Sequence, residues 1–142
     1  MRQRPAALAL VAWTFFLWTT RLLNIWRDDA LDAGEKWGRT GLALSFTVLA
    51  VVALVALWRR ASGALTWAVG ALAGWSVAVW VVRDVRILTA DHPGGFKMVH
   101  TVLAVISIAL AAWAWRELRR VAAPGADAVP ATPPLRTGLS PR

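Results

Sequence analysis

The chain has 142 residues, of which 58% are hydrophobic and ten are Trp, and its mean hydropathy is +0.52. A chain this apolar is not a typical soluble domain, and its length allows several membrane spans. The formal net charge of +8 could suggest nucleic-acid binding, but the basic residues fall in pairs and triplets at the ends of apolar stretches, which is typical of anchoring beside a membrane. We therefore expect a lipid bilayer around the chain and no nucleic-acid partner. Cysteine is absent, which excludes disulfides and thiolate metal sites.

Four apolar stretches follow one another, at about 5–20, 41–58, 64–82 and 98–115. A bilayer core of roughly 30 Å needs about 20 such residues per helix. The first stretch ends in Trp18-Thr19-Thr20-Arg21, which lacks the small residues that signal-peptide cleavage requires, so it is predicted to be a retained anchor. Residues 121–142 hold five of the seven prolines and are predicted to be a disordered tail. The sequence thus predicts an all-α membrane protein with four transmembrane helices.

The two halves of the chain resemble each other. Five residues recur with identical spacing: Ala9, Leu10, Trp13, Trp18 and Arg21 correspond to Ala71, Leu72, Trp75, Trp80 and Arg83. The run TVLAV at 47–51 also recurs, at 101–105, but at a shorter offset along the chain. We interpret this as a tandem repeat of a two-helix hairpin, covering 1–60 and 61–120. The change of offset predicts a first loop that is longer by eight residues, and it pairs Phe46 with His100. Hairpins repeated in the same sense are related by an axis along the membrane normal.

Orientation rests on the charges at the helix ends. Each side of the membrane collects seven basic residues, but only one side interleaves them with acidic residues such as Asp28, Asp84 and Asp91. We expect the other side, which holds both termini, to be cytoplasmic, with dual insertion as the alternative because acidic residues weigh little in the positive-inside rule.

Several residues are candidates for helix packing. Gly70, Gly74 and Ala78 form a small-residue stripe that favours close approach of another helix, within the chain or, as the alternative, in a homodimer. Trp13 and Trp75 fall near mid-span, where an indole N–H needs a partner, so both are predicted to face the bundle interior. The repeated Trp18 and Trp80, one turn before Arg21 and Arg83, favour an aromatic belt at the membrane interface, with an anion site as the alternative.

Titratable residues concentrate around the loop of the second hairpin. The candidate ligand-binding residues are Arg21, Arg83, Asp84, Arg86, Lys97 and His100. These residues are compatible with three functions, of which the third is binding of an anionic lipid or carrier phosphate. Haem ligation is disfavoured because it needs two axial imidazoles on facing helices, whereas His92 is in a loop and His100 has no second histidine to pair with in the same chain. Acid–base catalysis is disfavoured because no nucleophile lies beside the acids. No cofactor or metal is predicted. A proton-coupled exporter is disfavoured because no carboxylate falls within the four predicted spans.

The string Trp75-Ser76-x-x-x-Trp80, then Asp91, then Phe96-x-x-Val99-His100-x-x-Leu103-Ala104-x-x-Ser107 resembles small two-span membrane proteins of actinobacteria, a group of unknown function. The resemblance covers mainly residues 75–116 and implies a bacterial plasma membrane location, with no catalytic residue to carry over. The sequence as a whole favours a non-enzymatic accessory or scaffold subunit with a membrane-protein partner. The alternative is a protein that binds an anionic lipid or carrier phosphate.

Overall fold

The computed structural model describes residues 5–122, with side chains described for 5–120. Four helices account for nearly all of this range: α1 (Pro5–Arg27), α2 (Ala33–Trp58), α3 (Ser62–Thr89) and α4 (Gly94–Ala122). Each is long and apolar enough to cross a membrane, and no strand occurs among the described residues. The prediction of an all-α protein with four transmembrane helices is therefore confirmed. Apart from the last two residues of α4, the predicted disordered tail lies outside the described residues.

The helices extend well beyond the predicted apolar stretches. Helix α2 begins at Ala33 rather than near 41, because Asp32 and Glu35 form a capping box at its N-terminus. The Asp32 carboxylate accepts a hydrogen bond from the Glu35 backbone N–H at 2.8 Å, and the Glu35 carboxylate accepts one from the Asp32 N–H at 3.4 Å. Helix α3 continues past the predicted end at 82 to Thr89. The connections shrink to 28–32 and 90–93, so most of the charged residues predicted in loops lie on helices.

Consecutive helices run antiparallel and pack side by side, and α4 packs back against α1, so the four helices form a closed up-down-up-down bundle. This topology gives the bundle two unlike ends. The two-loop end carries the connections 28–32 and 90–93. The terminal end carries the start of α1, the connection 59–61 and the end of α4.

Contacts between helices close the terminal end. The Glu117 carboxylate of α4 accepts a hydrogen bond at 3.0 Å from the Ala6 N–H in the first turn of α1, where backbone N–H groups have no partner within the helix. Gly70 of α3 lies against Trp115 of α4, since a Cβ added at Gly70 would come within 2.9 Å of the Trp115 ring. Arg119 lies over the same indole, 5.5 Å from its centroid. This end is therefore tightly packed.

The buried faces of α1 and α3 match in register. Under the offset that takes Trp13 to Trp75, which we call the long offset, seven of the eight buried residues of α1 have a buried counterpart in α3. Those seven are Ala6, Ala7, Leu10, Val11, Thr14, Trp18 and Ile25. Since burial was no part of the sequence comparison, the match supports the repeated hairpin independently.

Two interhelical hydrogen bonds show that the long offset applies to the other helices as well. Trp13 Nε1 donates to Ser107 Oγ at 2.9 Å, and Trp75 Nε1 donates to Ser45 Oγ at 3.0 Å. The step along the chain from Trp13 to Trp75 equals the step from Ser45 to Ser107. One period, the long offset, therefore relates both α1 to α3 and α2 to α4.

The prediction of a first loop longer by eight residues is consequently wrong, because the loops have five and four residues. The offset between the two TVLAV runs falls short of the structural period by eight residues. That difference is about two helical turns, after which similar apolar residues face the same side again. The pairing of Phe46 with His100 fails for the same reason. His100 lies six residues from the start of α4, whereas Phe46 lies thirteen from the start of α2.

Candidate functional site

A cleft of about 900 Å³ lies at the two-loop end, bounded by side chains from all four helices and from the connection 90–93. Its lining consists of Arg21, Asn24, Arg39, Leu42, Trp75, Ala78, Val79, Val82, Arg83, Arg86, Ile87, His92, Phe96 and His100. Helices α2 and α3 extend beyond their apolar stretches, and these extensions carry basic residues that line the cleft.

The cleft changes character along α3. Near the two-loop end its wall carries Arg83 and Arg86, whereas toward mid-span it carries Val79 and Trp75. Trp75 precedes the last residue of α3 by fourteen positions, which is roughly 21 Å along a helix. The cleft is therefore cationic at one end and apolar at the other, and it reaches deep into the membrane span.

The basic residues of the cleft have few anionic partners. Four Arg line it, and no Asp or Glu within residues 5–120 does. Within residues 5–120, the one ion pair made by any of them joins Arg39 to Glu35 at 3.4 Å, with both side chains about half exposed. The Nε of Arg83 is buried and has no hydrogen-bond partner among the described residues. Holding a partly desolvated guanidinium without an anionic partner is costly, and a negative charge in the adjacent cleft would offset part of that cost.

His100 is held in a defined orientation at the cleft wall. It is only 9% exposed, and its Nδ1 lies 2.9 Å from the Phe96 carbonyl oxygen one turn earlier. A carbonyl can only accept, so Nδ1 must carry a proton and donate it. The imidazole also packs against the Phe96 ring at 4.0 Å between centroids. Nε2 is thus left to accept a hydrogen bond in the neutral ring or to donate one in the imidazolium.

Of the six candidate ligand-binding residues, the cleft brings together Arg21, Arg83, Arg86 and His100. The other two contact different partners. Asp84 accepts a hydrogen bond from Thr101 Oγ1 at 3.0 Å, and Lys97 Nζ donates to the Leu88 carbonyl at 3.0 Å. Both bonds join α3 to α4 near the two-loop end.

Sequence reasoning missed Arg39 and Asn24. Arg39 precedes the apolar stretch that begins near 41, but it lies on α2 because the capping box of Asp32 and Glu35 starts this helix at Ala33. Asn24 follows Arg21 by three residues, as Arg86 follows Arg83. The long offset therefore places Asn24 and Arg86 at equivalent positions, and both line the cleft.

Trp18 and Trp80 do not form an interfacial belt, so that prediction is wrong. Each is only 4% exposed, and Trp18 stacks on Phe46 at 4.1 Å between centroids. Each lies nine residues before the end of its helix, roughly 13 Å inside the bundle. The highly exposed indoles lie nearer the helix ends, such as Trp58 at 84% exposed.

The residues of the small-residue stripe have three different environments. Gly70 packs on Trp115 of the same chain, and a Cβ at Gly74 would meet nothing within 4 Å. Ala78 lines the cleft. Of the two mid-span indoles, Trp13 is half-buried and Trp75 is 40% exposed at the cleft wall, and each donates its N–H to a serine of the other hairpin.

Comparison with protein-family models, with curated proteins and with solved structures gave no match to this chain. The resemblance to small actinobacterial hairpin proteins stays a prediction. The function is therefore argued from the cleft alone.

Proposed function

We propose that this protein binds an amphiphile with an anionic head group, an anionic lipid or a lipid-linked carrier phosphate, in the cleft at the two-loop end. The observation that carries the proposal is the convergence of Arg21, Arg83 and Arg86 with His100 on a cleft whose described lining residues include no carboxylate. The head group would lie among these side chains, and the apolar tail would lie along α3 toward Trp75.

Physical chemistry supports an anionic occupant. Hydrogen bonds between guanidinium and phosphate are charge-assisted and contribute about 1.5–3 kcal/mol each. Arg83 lines the cleft with a partly buried guanidinium, whose positive charge an anionic head group beside it would stabilise. Leu42 and Val79 supply an apolar wall next to the charges, and a lipid tail that contacts this wall leaves no polar group without a hydrogen-bond partner.

Binding explains this lining better than catalysis does. Among the described residues the lining has no Ser, Thr, Cys, Asp or Glu, so these residues offer neither a hydroxyl or thiol nucleophile nor a carboxylate base. His100 supplies the buried imidazole of the lining, and its Nδ1 already donates a hydrogen bond to the Phe96 carbonyl. These groups can orient and neutralise an anion, and we assign them that role.

Location and orientation form part of the proposal. A bacterial plasma membrane with both termini in the cytoplasm would place the cleft toward the outer face. Reporter fusions at Arg60 and after residue 142 test this orientation, and both should report cytoplasm. A signal from the opposite side at either position would overturn it.

The accessory or scaffold role that the sequence favoured remains a prediction, and so do the protein partner and the homodimer. The contact of Gly70 with Trp115 uses one part of the small-residue stripe within the chain, which leaves Gly74 as its open part. Substitutions at Gly74 that release a co-purifying protein without changing bound lipid would favour the scaffold role.

Native mass spectrometry tests the binding proposal. The wild type, purified in mild detergent, should retain an anionic lipid, and Arg83→Gln should lose it while keeping its helical circular dichroism. Arg120→Gln is the matched control, since it removes one charge from an exposed position at the terminal end. If the variants and the wild type carry the same lipids in the same amounts, the proposal is wrong.

A further inference from the structure

The cleft carries more positive charge than a singly charged head group can neutralise. Of its four guanidiniums, only that of Arg39 has an ion pair within residues 5–120. Arg21, Arg83 and Arg86 remain without a carboxylate partner among those residues. A phosphodiester lipid brings one negative charge. A phosphomonoester brings about 1.5 to 2 near pH 7, and it presents three acceptor oxygens rather than two.

The donors also come in two related sets. Arg21 with Asn24 on α1 and Arg83 with Arg86 on α3 have the same three-residue spacing, and the long offset relates one pair to the other, as it relates the two hairpins. Residues three apart lie on one face of a helix, so each helix presents a pair of donors to the cleft. A head group that accepts hydrogen bonds from two helices needs acceptor oxygens on more than one side. A terminal phosphate or a diphosphate has them.

The apolar part of the cleft is open to the outside of the bundle. Trp75 and Val82 line it and are still 40% and 53% exposed. Leu42 of α2 lines the same apolar part of the cleft. An occupant with a long tail can pass this wall into the bilayer, whereas a soluble phosphate would leave it bare.

We propose that the cleft selects lipids whose head group ends in a phosphomonoester or diphosphate over lipids with a phosphodiester head group. This inference rests on the proposed function and names its ligand class. Arg83 supplies the selective contact, because it lines the cleft and the planar guanidinium can offer two parallel N–H groups that match two phosphate oxygens.

The test compares two lipids with the same dioleoyl tails, phosphatidic acid and phosphatidylglycerol, which differ in having a monoester or a diester phosphate. Delipidated full-length protein is titrated with each by native mass spectrometry at pH 8. We expect phosphatidic acid to bind at least tenfold more tightly. Arg83→Lys keeps the charge but loses the fork, so it should reduce this preference severalfold. Arg21→Gln offers a second route if Arg83 variants fold poorly, and Arg120→Gln is the control.

A further arm separates lipid from free phosphate. Inorganic pyrophosphate should displace phosphatidic acid only at concentrations at least a hundredfold above those of the lipid. Displacement at equal concentrations would overturn the assignment to a lipid. Equal affinities for the two lipids, both lost in Arg83→Gln, would overturn the selectivity and leave the proposed function standing. Binding of both lipids that is unaffected by Arg83→Gln would overturn the two together.

Discussion

The two ends of the bundle are both rich in Arg, yet they use it differently. At the terminal end Arg119 lies over the ring of Trp115, and Glu117 caps the start of α1. At the two-loop end Arg21 and Arg83 line an open cleft without carboxylates. One end is closed by contacts between helices, and the other leaves its charges directed at a cavity.

The comparison shows that composition alone does not distinguish an anchoring cation from a binding one. The distinction comes from where the helices end. At the two-loop end the helices continue for one to two turns past their apolar stretches, so Arg21 and Arg83 lie on helices at the cleft wall rather than in loops. The predictions below probe this difference, starting from the largest expected effect.

Removing two charges should greatly weaken lipid binding at the two-loop end and hardly change it at the terminal end. Arg21→Gln combined with Arg83→Gln removes two charge-assisted contacts of about 1.5–3 kcal/mol each, so affinity for an anionic lipid should fall by a hundredfold or more. Arg116→Gln combined with Arg120→Gln makes the same change in charge at exposed positions of the terminal end. Titration in native mass spectrometry should show less than a threefold change for this control. Similar losses in both double variants would remove the distinction between the ends.

Overpacking should damage the closed end. Gly70→Val places a branched side chain where a Cβ alone would approach the Trp115 ring to 2.9 Å, so unfolding in detergent should become easier by about 1–3 kcal/mol. Gly74→Val is the control, because nothing lies within 4 Å of its added Cβ. Thermal melts followed by circular dichroism measure both. Equal melting temperatures for the two variants would contradict the close contact.

Loss of the cap should weaken the terminal end by a smaller amount. Glu117→Ala removes the acceptor of the Ala6 N–H at the start of α1, and the expected cost is about 0.5–2 kcal/mol. Hydrogen exchange of the first turn of α1 should rise while lipid affinity stays unchanged. Asp91→Asn, in the connection at the other end, should leave this exchange as it is. A drop in lipid binding for Glu117→Ala would mean that the two ends are coupled.

The smallest effects belong to the middle of the bundle, where the hairpins are equivalent. Ser45→Ala and Ser107→Ala each leave an indole N–H without its acceptor, at an expected cost of about 0.5–1.5 kcal/mol. The cost should be larger for Ser107→Ala in denaturant unfolding, because Ser107 is only 2% exposed whereas the bond from Trp75 to Ser45 lies at an exposed position. A larger cost for Ser45→Ala would contradict this difference in burial.

Much of the fold could be predicted from the sequence because apolar length determines a membrane span. The ends of the helices could not be predicted in the same way. Hydropathy falls at Arg21 and near 41, but the backbone stays helical through Arg27 and from Ala33. At Ala33 the capping box of Asp32 and Glu35 replaces the apolar signal.

The same cause limited the site prediction. Arg21, Arg83, Arg86 and His100 were found as a cluster of charge, whereas the separation of Asp84 and Lys97 from them depends on which face of a helix each occupies. That face depends on how α3 and α4 pack against each other, which hydropathy alone does not give. The long offset, applied throughout, would have added Asn24 as the counterpart of Arg86.

Photo-crosslinking tests most directly whether the two-loop end is the binding end. Phosphatidic acid with a photoreactive group at the head end of one acyl chain is incorporated with the protein into nanodiscs, and the labelled peptides are mapped by mass spectrometry. Labelling should concentrate in 75–100, around Arg83 and His100, and should fall at least tenfold in Arg83→Gln but not in Arg120→Gln. Labelling that is equal at 113–120, or that Arg83→Gln leaves intact, would contradict the account.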